Sequence, residues 1–176
     1  MSYAGQILAL DLAARTGWAL GRPGDMPASG SVRFAKEGAS MAAVLSGCRR
    51  WLGEFLDGHP TIQLVVFEAP LLPAFKKGKT TIVTIRQLMG LCGTVEELLY
   101  SRGTYDIREA RVSDIRIHFL GSNKHKREKA KELTIMRCRH LGWHPDDDNA
   151  ADALALWDYQ SSLLRGRECH GRLVQA

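Results

Sequence analysis

The order in which strand-like and helix-like segments alternate along the chain restricts its fold more than any other feature. Short runs rich in β-branched and aliphatic residues, which are typical of strands, lie at residues 6–11, 16–21, 29–36, 61–70 and 104–110. Segments whose composition or apolar spacing favours helices lie at residues 38–57, 81–101, 111–121, 123–143 and 148–164. This order predicts an α/β fold in which one mixed sheet of about five strands is flanked by α-helices.

Length and composition predict a single domain. The 176 residues, of which 45% are hydrophobic, suffice for one core. We place the domain at residues 1–164 and interpret residues 165–176 as a basic, frayed C-terminal tail. The four cysteines are scattered without a Cys-x-x-Cys pair, which argues against a disulfide framework or a zinc knuckle and favours a reducing compartment.

The charge of the chain indicates the kind of partner. A formal net charge of +5 and a pI of about 9.2 attract nucleic acid, an anionic membrane or an acidic partner. The N-terminal segment has no basic lead and meets an aspartate early, unlike a signal peptide, and no apolar stretch is long enough to span a bilayer. We therefore expect a cytoplasmic protein that binds nucleic acid and no membrane.

Acidic residues stand where α/β proteins commonly build sites. Asp11 ends the first predicted strand and Glu68 the fourth, and ligand sites favour strand ends. The last predicted helix begins within Asp146–Asp148 and carries Asp152 one turn later. Acids at its very start are expected to cap free N–H groups. Asp152 lies among small apolar residues instead, where a carboxylate needs a partner.

A divalent cation would relieve the repulsion within this group. Asp148 and Asp152 are four residues apart and so share one helical face, with Cβ atoms roughly 5–6 Å apart. Together with Asp11 and Glu68 they could hold two Mg²⁺ ions, because Mg²⁺ prefers oxygen ligands. Such a pair, about 3.5–4 Å apart, activates water and stabilises the leaving oxygen in phosphodiester hydrolysis. Mn²⁺ is expected to substitute for Mg²⁺.

Three motifs follow one another along the chain: "ILALDLAARTGWAL" with Asp11, "VVFEAP" with Glu68 and "NAADALAL" with Asp152. In order and spacing they resemble the motifs of the RuvC family of Holliday-junction resolvases in the ribonuclease H-like superfamily, and the resemblance covers residues 6–160. It implies a ribonuclease H-like mixed sheet. It also implies a homodimeric, Mg²⁺-dependent endonuclease that nicks two strands of a four-way DNA junction symmetrically.

The resemblance further implies that the acids of the three motifs bind metal. The chain departs from the family pattern at two places. The RuvC pattern has an acid three residues before the last aspartate, where this chain has Asn149. Superfamily relatives often use the position four before, which is Asp148 here, so we place the fourth ligand at Asp148 with Asn149 as a weaker oxygen ligand. Leu12 and Ala13 stand where the family usually has Pro-Gly, so the turn can differ.

The basic segment "NKHKREKAK" provides candidates for contacts with phosphate. Family members place a lysine near the start of the helix before the acidic one, close to the scissile phosphate, and Lys126 and Lys129 are the candidates for this catalytic role. Lys124, Arg127 and Lys131 of the same segment are also expected to contact DNA phosphates. The alternative is a solvated helix face whose charge is balanced by nearby glutamates.

The segment "PAFKKGKTT" is predicted to be a basic DNA-binding loop after Glu68. It contains Phe75, Lys76, Lys77 and Lys79. Such a loop can follow phosphates while its aromatic ring stacks on an unpaired base, as expected where a junction is opened. The alternative for Phe75 is a ring folded back onto the core.

Three other functions remain open at this stage. The first is another ribonuclease H-like nuclease, acting on branched or flap DNA or on RNA–DNA hybrids. The second is a DNA-binding protein without catalysis. The third is a nucleotide-binding member of the actin and sugar-kinase group. The segment "LDLAARTGWAL" also resembles the first phosphate-binding hairpin of that group, but the sequence contains no second glycine-rich phosphate loop.

Overall fold

The computed structural model describes residues 4–70, 81–103 and 105–173, with side chains up to Arg165. Its elements follow the predicted order: β1 (Gln6–Asp11), β2 (Arg15–Gly21), β3 (Ala28–Arg33), α1 (Met41–Gly58), β4 (Ile62–Glu68), α2 (Ile82–Arg102), β5 (Asp106–Ala110), α3 (Val112–Leu120), α4 (Arg127–His140) and α5 (Asp148–Leu173). The predicted α/β class, with a mixed five-stranded sheet flanked by helices, is confirmed.

The sheet has the strand order β3-β2-β1-β4-β5. β1 pairs antiparallel with β2, and β2 antiparallel with β3. β4 lies parallel to β1 on its other side, and β5 lies parallel to β4. The carboxyl ends of β1, β4 and β5 therefore meet at one edge of the sheet, where the acids that end β1 and β4 also lie.

Two apolar layers cover the sheet because successive residues of a strand point to opposite faces. On one face Ile7, Ala9 and Val66 pack with Leu154 and Trp157 of α5, and α3 and α4 complete this layer. The other face is covered by α1 and α2 and contains the side chains Leu8, Leu10, Val65, Phe67, Leu52, Leu56, Leu91 and Val95. The ring nitrogen of Trp157 donates to the carbonyl oxygen of Gly21 over 3.2 Å, which ties α5 to β2.

Several helix boundaries differ from the prediction, and those at the starts of α1 and α4 have local causes. α1 begins at Met41 rather than at residue 38, because the Ser40 hydroxyl accepts a hydrogen bond from the Ala43 N–H and caps the helix. α4 begins at Arg127, with Lys126 as its N-cap, and not at residue 123.

Another difference concerns the last helix. α5 continues to Leu173, beyond the predicted helix end at Leu164, while the domain boundary and the basic tail stay predictions. No proline follows Leu164, and the backbone can therefore continue its helical hydrogen bonds. No described helix combines the length and the apolar composition that a membrane span requires.

Candidate active site

Asp11 and Glu68 lie side by side at the edge of the sheet. β1 and β4 are parallel, and Leu10 of β1 is in register with Phe67 of β4. The next residue on each strand is the acid, and neighbouring strands are about 4.8 Å apart. By strand alternation both acids share the face that carries Ile7 and packs against α5.

α5 brings the remaining acids to this face because its first turn lies very close to β2. Gly17 of β2 is paired with Asp11, and a Cβ atom on Gly17 would lie 1.9 Å from the carbonyl oxygen of Asn149. Only glycine allows this approach. The first turn of α5 is thereby held beside Asp11, and Asp152 follows one turn further on the same helix.

The acids lie within electrostatic reach of one another, because their charges affect one another's pKa values. Burial, followed by the negative charges of Asp152 and Glu68, raises the pKa of Asp11 to about 8, although Lys131 opposes the rise. Burial also raises the pKa of Asp152 to about 6, against the opposing effect of Lys131. The charge of Asp148 contributes to both increases. The site is therefore short of positive charge.

Asp11, Glu68 and Asp152 open into a common cleft of about 740 Å³. Basic side chains of three residues also line it: Arg116 of α3, and Arg127 and Lys131 of α4. The first turns of α2 form a further wall with residues that include Val83, Thr84, Gln87 and Leu88. A cleft that contains both acids and cations suits a phosphodiester that must be held beside carboxylates.

The two candidates for the fourth ligand have different surroundings. Asn149 lines the cleft. Asp148 forms an ion pair with Lys131, and the hydrogen bond from that ammonium group holds the pKa of the carboxyl below its ordinary value. Lys131 therefore neutralises Asp148 at the rim of the acidic group.

Asp147 caps α5, as the sequence analysis expects of an acid at this position. Its carboxylate accepts the Ala150 N–H over 2.9 Å and the Ser31 hydroxyl over 2.7 Å, and it pairs with Arg15 at 3.0 Å. Burial opposes ionisation of Asp147, but these partners outweigh it and hold its pKa below the ordinary value. Asp147 thus joins β2 and β3 to the start of α5, while Asp146 is exposed.

Of the basic residues proposed from the sequence, Arg127 lines the cleft. Lys129 is exposed and donates to Glu132 over 3.1 Å, on the solvent side of α4. Lys126 and Lys124 are exposed in the segment where α4 begins. Phe75, Lys76, Lys77 and Lys79 lie outside the described residues.

The lysine beside the acids is Lys131, which the sequence suggested only as a phosphate contact, while the catalytic role was predicted for Lys126 or Lys129. The signal was present in the helical period, because Ala130, Thr134 and Cys138 form the buried stripe of α4 and Lys131 adjoins it. Lys129 lies on the opposite, exposed side. Arg15 and Ser31 were also missed, since their partnership with Asp147 depends on the pairing of β2 with β3.

The donor set agrees in its chemistry with a hard divalent cation. Three residues with carboxylate groups line one cleft together with Asn149, and oxygen is the donor atom that Mg²⁺ and Mn²⁺ prefer. The raised pKa of Asp11 indicates that added positive charge would stabilise the ionised group. Within residues 4–70, 81–103 and 105–173, however, no three His, Cys, Asp or Glu side chains stand in an arrangement that would hold a metal without movement.

Comparisons with known proteins identify the fold. No protein-family model matches the chain, and no curated protein sequence matches it significantly. The Thermus thermophilus RuvC structure is similar with a TM-score of 0.65 and 13% identity, covering 93% of this chain and 96% of that one. T. thermophilus RuvC in complex with a Holliday junction substrate gives 0.66 and 11%, with the same coverage.

A third structure, the yeast mitochondrial Holliday junction resolvase Ydc2, is similar with a TM-score of 0.66 and 9% identity. The match covers 94% of this chain and 82% of that one. Identities this low concern the fold and not the activity. The chain has the RuvC-like form of the ribonuclease H-like fold, as its three motifs predict.

Proposed function

We propose that this protein is a divalent-metal-dependent endonuclease that resolves four-way DNA junctions by paired, symmetric nicks. The observation that carries the proposal is the convergence of Asp11, Glu68 and Asp152, from three separate elements, on one cleft that also contains basic side chains. Crowded carboxylates are unfavourable unless a cation is bound between them. The solved junction resolvases with this fold favour branched DNA as the substrate.

Mg²⁺ would be held by Asp11, Glu68 and Asp152, with Asp148 or Asn149 as the fourth ligand. When bound, a pair of such ions supplies an activated water and stabilises the oxygen that leaves the phosphorus. One carboxylate oxygen of Asp148 is paired with Lys131, so the other oxygen is the one available to a metal ion. Asn149 lines the cleft, and its side chain also forms a hydrogen bond with Asp147.

The residues of the chain itself bind and orient the phosphodiester. Arg116, Arg127 and Lys131 line the same cleft as the acids and can neutralise phosphate oxygens. Lys131 is the basic residue that acts most directly, because its charge affects both Asp11 and Asp152. We assign to it the stabilisation of charge on the scissile phosphate.

Symmetric cleavage of a junction requires two active sites, and we therefore propose a homodimer in which each protomer cuts one strand. A monomer that cleaves would instead favour a nuclease for flaps, other branched DNA or RNA–DNA hybrids. The mass of the protein in solution, measured by light scattering with and without a junction, distinguishes these cases.

The direct test is a cleavage assay on end-labelled substrates with Mg²⁺, Mn²⁺, Ca²⁺ or EDTA. The substrates are a four-way junction, a flap, a linear duplex and an RNA–DNA hybrid. We expect paired nicks at symmetric positions of the junction with Mg²⁺ or Mn²⁺, and none with EDTA. If the protein prefers to cleave another substrate, that substrate replaces the four-way junction in the proposal. If it cleaves none of them, the proposed nuclease activity is refuted.

Two variants and a matched control test the ligand assignment. Asp11→Asn and Asp152→Asn should abolish cleavage and leave junction binding equal or stronger, because each removes negative charge near phosphates. Asp25→Asn removes the same charge at an exposed turn between β2 and β3, and should cleave like the wild type. Wild-type cleavage by Asp11→Asn or Asp152→Asn would show that the ligand assignment is wrong.

A further inference from the structure

Two arginines face each other at the end of the β2–β3 pair. The register of these antiparallel strands places Arg15 directly opposite Arg33, and both are exposed. Like charges at directly opposed positions of a sheet destabilise it. Among the described residues the side chain of Arg33 has no hydrogen-bond or ion-pair partner, although its backbone belongs to the β2–β3 ladder. The pair therefore leaves positive charge that the chain itself does not neutralise.

The two arginines lie on the same face of the sheet as the acids. Asp11 is paired with Gly17, and Arg15 lies two residues further along β2, so strand alternation places both side chains on the face covered by α5. Two residues correspond to about 7 Å along the strand, and one strand spacing to about 4.8 Å. Arg15 is thus the nearest basic position on β2 to Asp11, and Arg33 lies one strand further out.

Arg15 is held in place by contacts that leave most of its donors available. Its Nε donates to the Ser31 hydroxyl over 2.9 Å and lies 3.0 Å from the Asp147 carboxylate. The Ser31 hydroxyl in turn donates to the same Asp147 oxygen over 2.7 Å. The two terminal nitrogens form no such contact within the described residues, and 52% of the side chain is exposed.

A guanidinium held in this way suits a phosphate group. Its planar fork can donate two parallel hydrogen bonds to phosphate oxygens, and a side chain that is already fixed loses less entropy on binding. Asp147 neutralises one of the two arginines, and Arg33 supplies the remaining charge.

We propose that Arg15 and Arg33 form a second phosphate-binding site for the DNA backbone, beside the catalytic cleft. This site rests on the proposed function and extends it: one phosphate is cut at the acids, and a neighbouring phosphate of the bound DNA is held by the arginine pair. The β2–β3 end is therefore part of the DNA-binding surface, in addition to α4. Because phosphate is shared by all DNA, the site fixes the position of the backbone and reads no base.

The first test is the salt dependence of junction binding by the full-length protein, measured by fluorescence anisotropy with Ca²⁺ in place of Mg²⁺. Arg33→Ala should weaken binding three- to tenfold at about 100 mM salt and lower the slope of log K against log salt by about 1. Arg50→Ala removes the same charge on α1, on the opposite side of the sheet, and should change the slope far less. Arg15→Lys retains the charge but loses the forked donor, and it should weaken binding with little change in slope.

The second test locates the phosphate. Junctions are prepared with a single neutral methylphosphonate at each position around the cleavage site, and each is measured with the wild type and with Arg33→Ala. At one position next to the scissile phosphate, the methylphosphonate should weaken wild-type binding and have no further effect on Arg33→Ala. Such non-additivity is the signature of a direct pair.

The outcomes separate this inference from the proposed function. The proposed arginine site is wrong if Arg33→Ala binds with the wild-type salt slope, or if its loss of binding free energy adds to the loss caused by every methylphosphonate. Cleavage of the junction by the wild type would still support the proposed nuclease activity. If the wild type binds no DNA, both are wrong. A thermal melt of each variant confirms that a loss of binding does not come from unfolding.

Discussion

The replacement Asp11→Asn should stabilise the metal-free protein while abolishing its proposed activity. Burial and the neighbouring charges of Asp152 and Glu68 raise the pKa of Asp11 from an ordinary 3.8 to about 8. The folded protein therefore binds a proton on Asp11 that the unfolded chain has already released between pH 4 and pH 8. Asparagine keeps the shape of the side chain without carrying the charge.

The sign of the pH dependence follows from this order of pKa values. A carboxyl whose folded pKa is raised contributes stability that is complete below its unfolded pKa and is lost as the pH rises through the folded pKa. The free energy of unfolding of the wild type should thus fall between about pH 4 and about pH 8. Asp11→Asn should not show the part of this fall that comes from Asp11. A pKa difference of about four corresponds to about 5 kcal/mol at most.

The expected effect is smaller, because Asp11 remains partly exposed and solvent screens its charge. We expect Asp11→Asn to exceed the wild type by about 1–3 kcal/mol in free energy of unfolding at pH 8, and by clearly less at pH 5. The assay is urea denaturation in EDTA at both pH values, with Asp25→Asn as the control. Equal or lower stability of Asp11→Asn at pH 8 would refute the reasoning. Added Mg²⁺ should stabilise the wild type and leave Asp11→Asn nearly unchanged.

Three further predictions concern the surroundings of the acids. Lys131→Ala should slow junction cleavage by about 100-fold in single-turnover assays, whereas Lys129→Ala should change the cleavage rate by no more than about twofold. Equal effects of the two variants would show that the position of Lys131 in the cleft does not matter for cleavage. Asp147→Ala should lower the free energy of unfolding by about 1–2 kcal/mol near neutral pH. This difference should shrink below about pH 4, because the lowered pKa of Asp147 means that only its ionised form stabilises the fold; a pH-independent difference would contradict the capping role. Gly17→Ala should lower the free energy of unfolding by about 3 kcal/mol or more and reduce cleavage, because the new Cβ would meet the Asn149 carbonyl oxygen. An unchanged melting temperature would show that the position of α5 does not depend on this close approach.

The order of the elements was predictable because each signal is local. Apolar runs of strand length and the helical period identified all five strands and all five helices of the described chain, within a few residues at most boundaries. The end of α5 was not predictable in this way, since Leu164 is followed by residues that allow a helix without requiring one. Its first turn was predictable, because acids before a small apolar run are a capping signal.

The acids could be located from sequence because each ends a strand or begins a helix, and parallel strands end at the same edge. The basic side chains could not be assigned with equal success. Lys129 and Lys131 are two positions apart on α4, and the side of the helix that faces the cleft is decided by packing against α5. The partnership of Arg15 with Ser31 and Asp147 requires strand register and helix docking together, neither of which a single sequence determines.

A crystal structure of the wild-type protein grown with Mn²⁺, with anomalous scattering recorded at the manganese edge, tests the central claim most directly. We predict an anomalous peak between the carboxylates of Asp11, Glu68 and Asp152, with oxygen distances of about 2.1–2.2 Å, and its loss in Asp152→Asn. An ion bound elsewhere, or three carboxylates that stay apart with no peak between them at saturating Mn²⁺, would contradict the account.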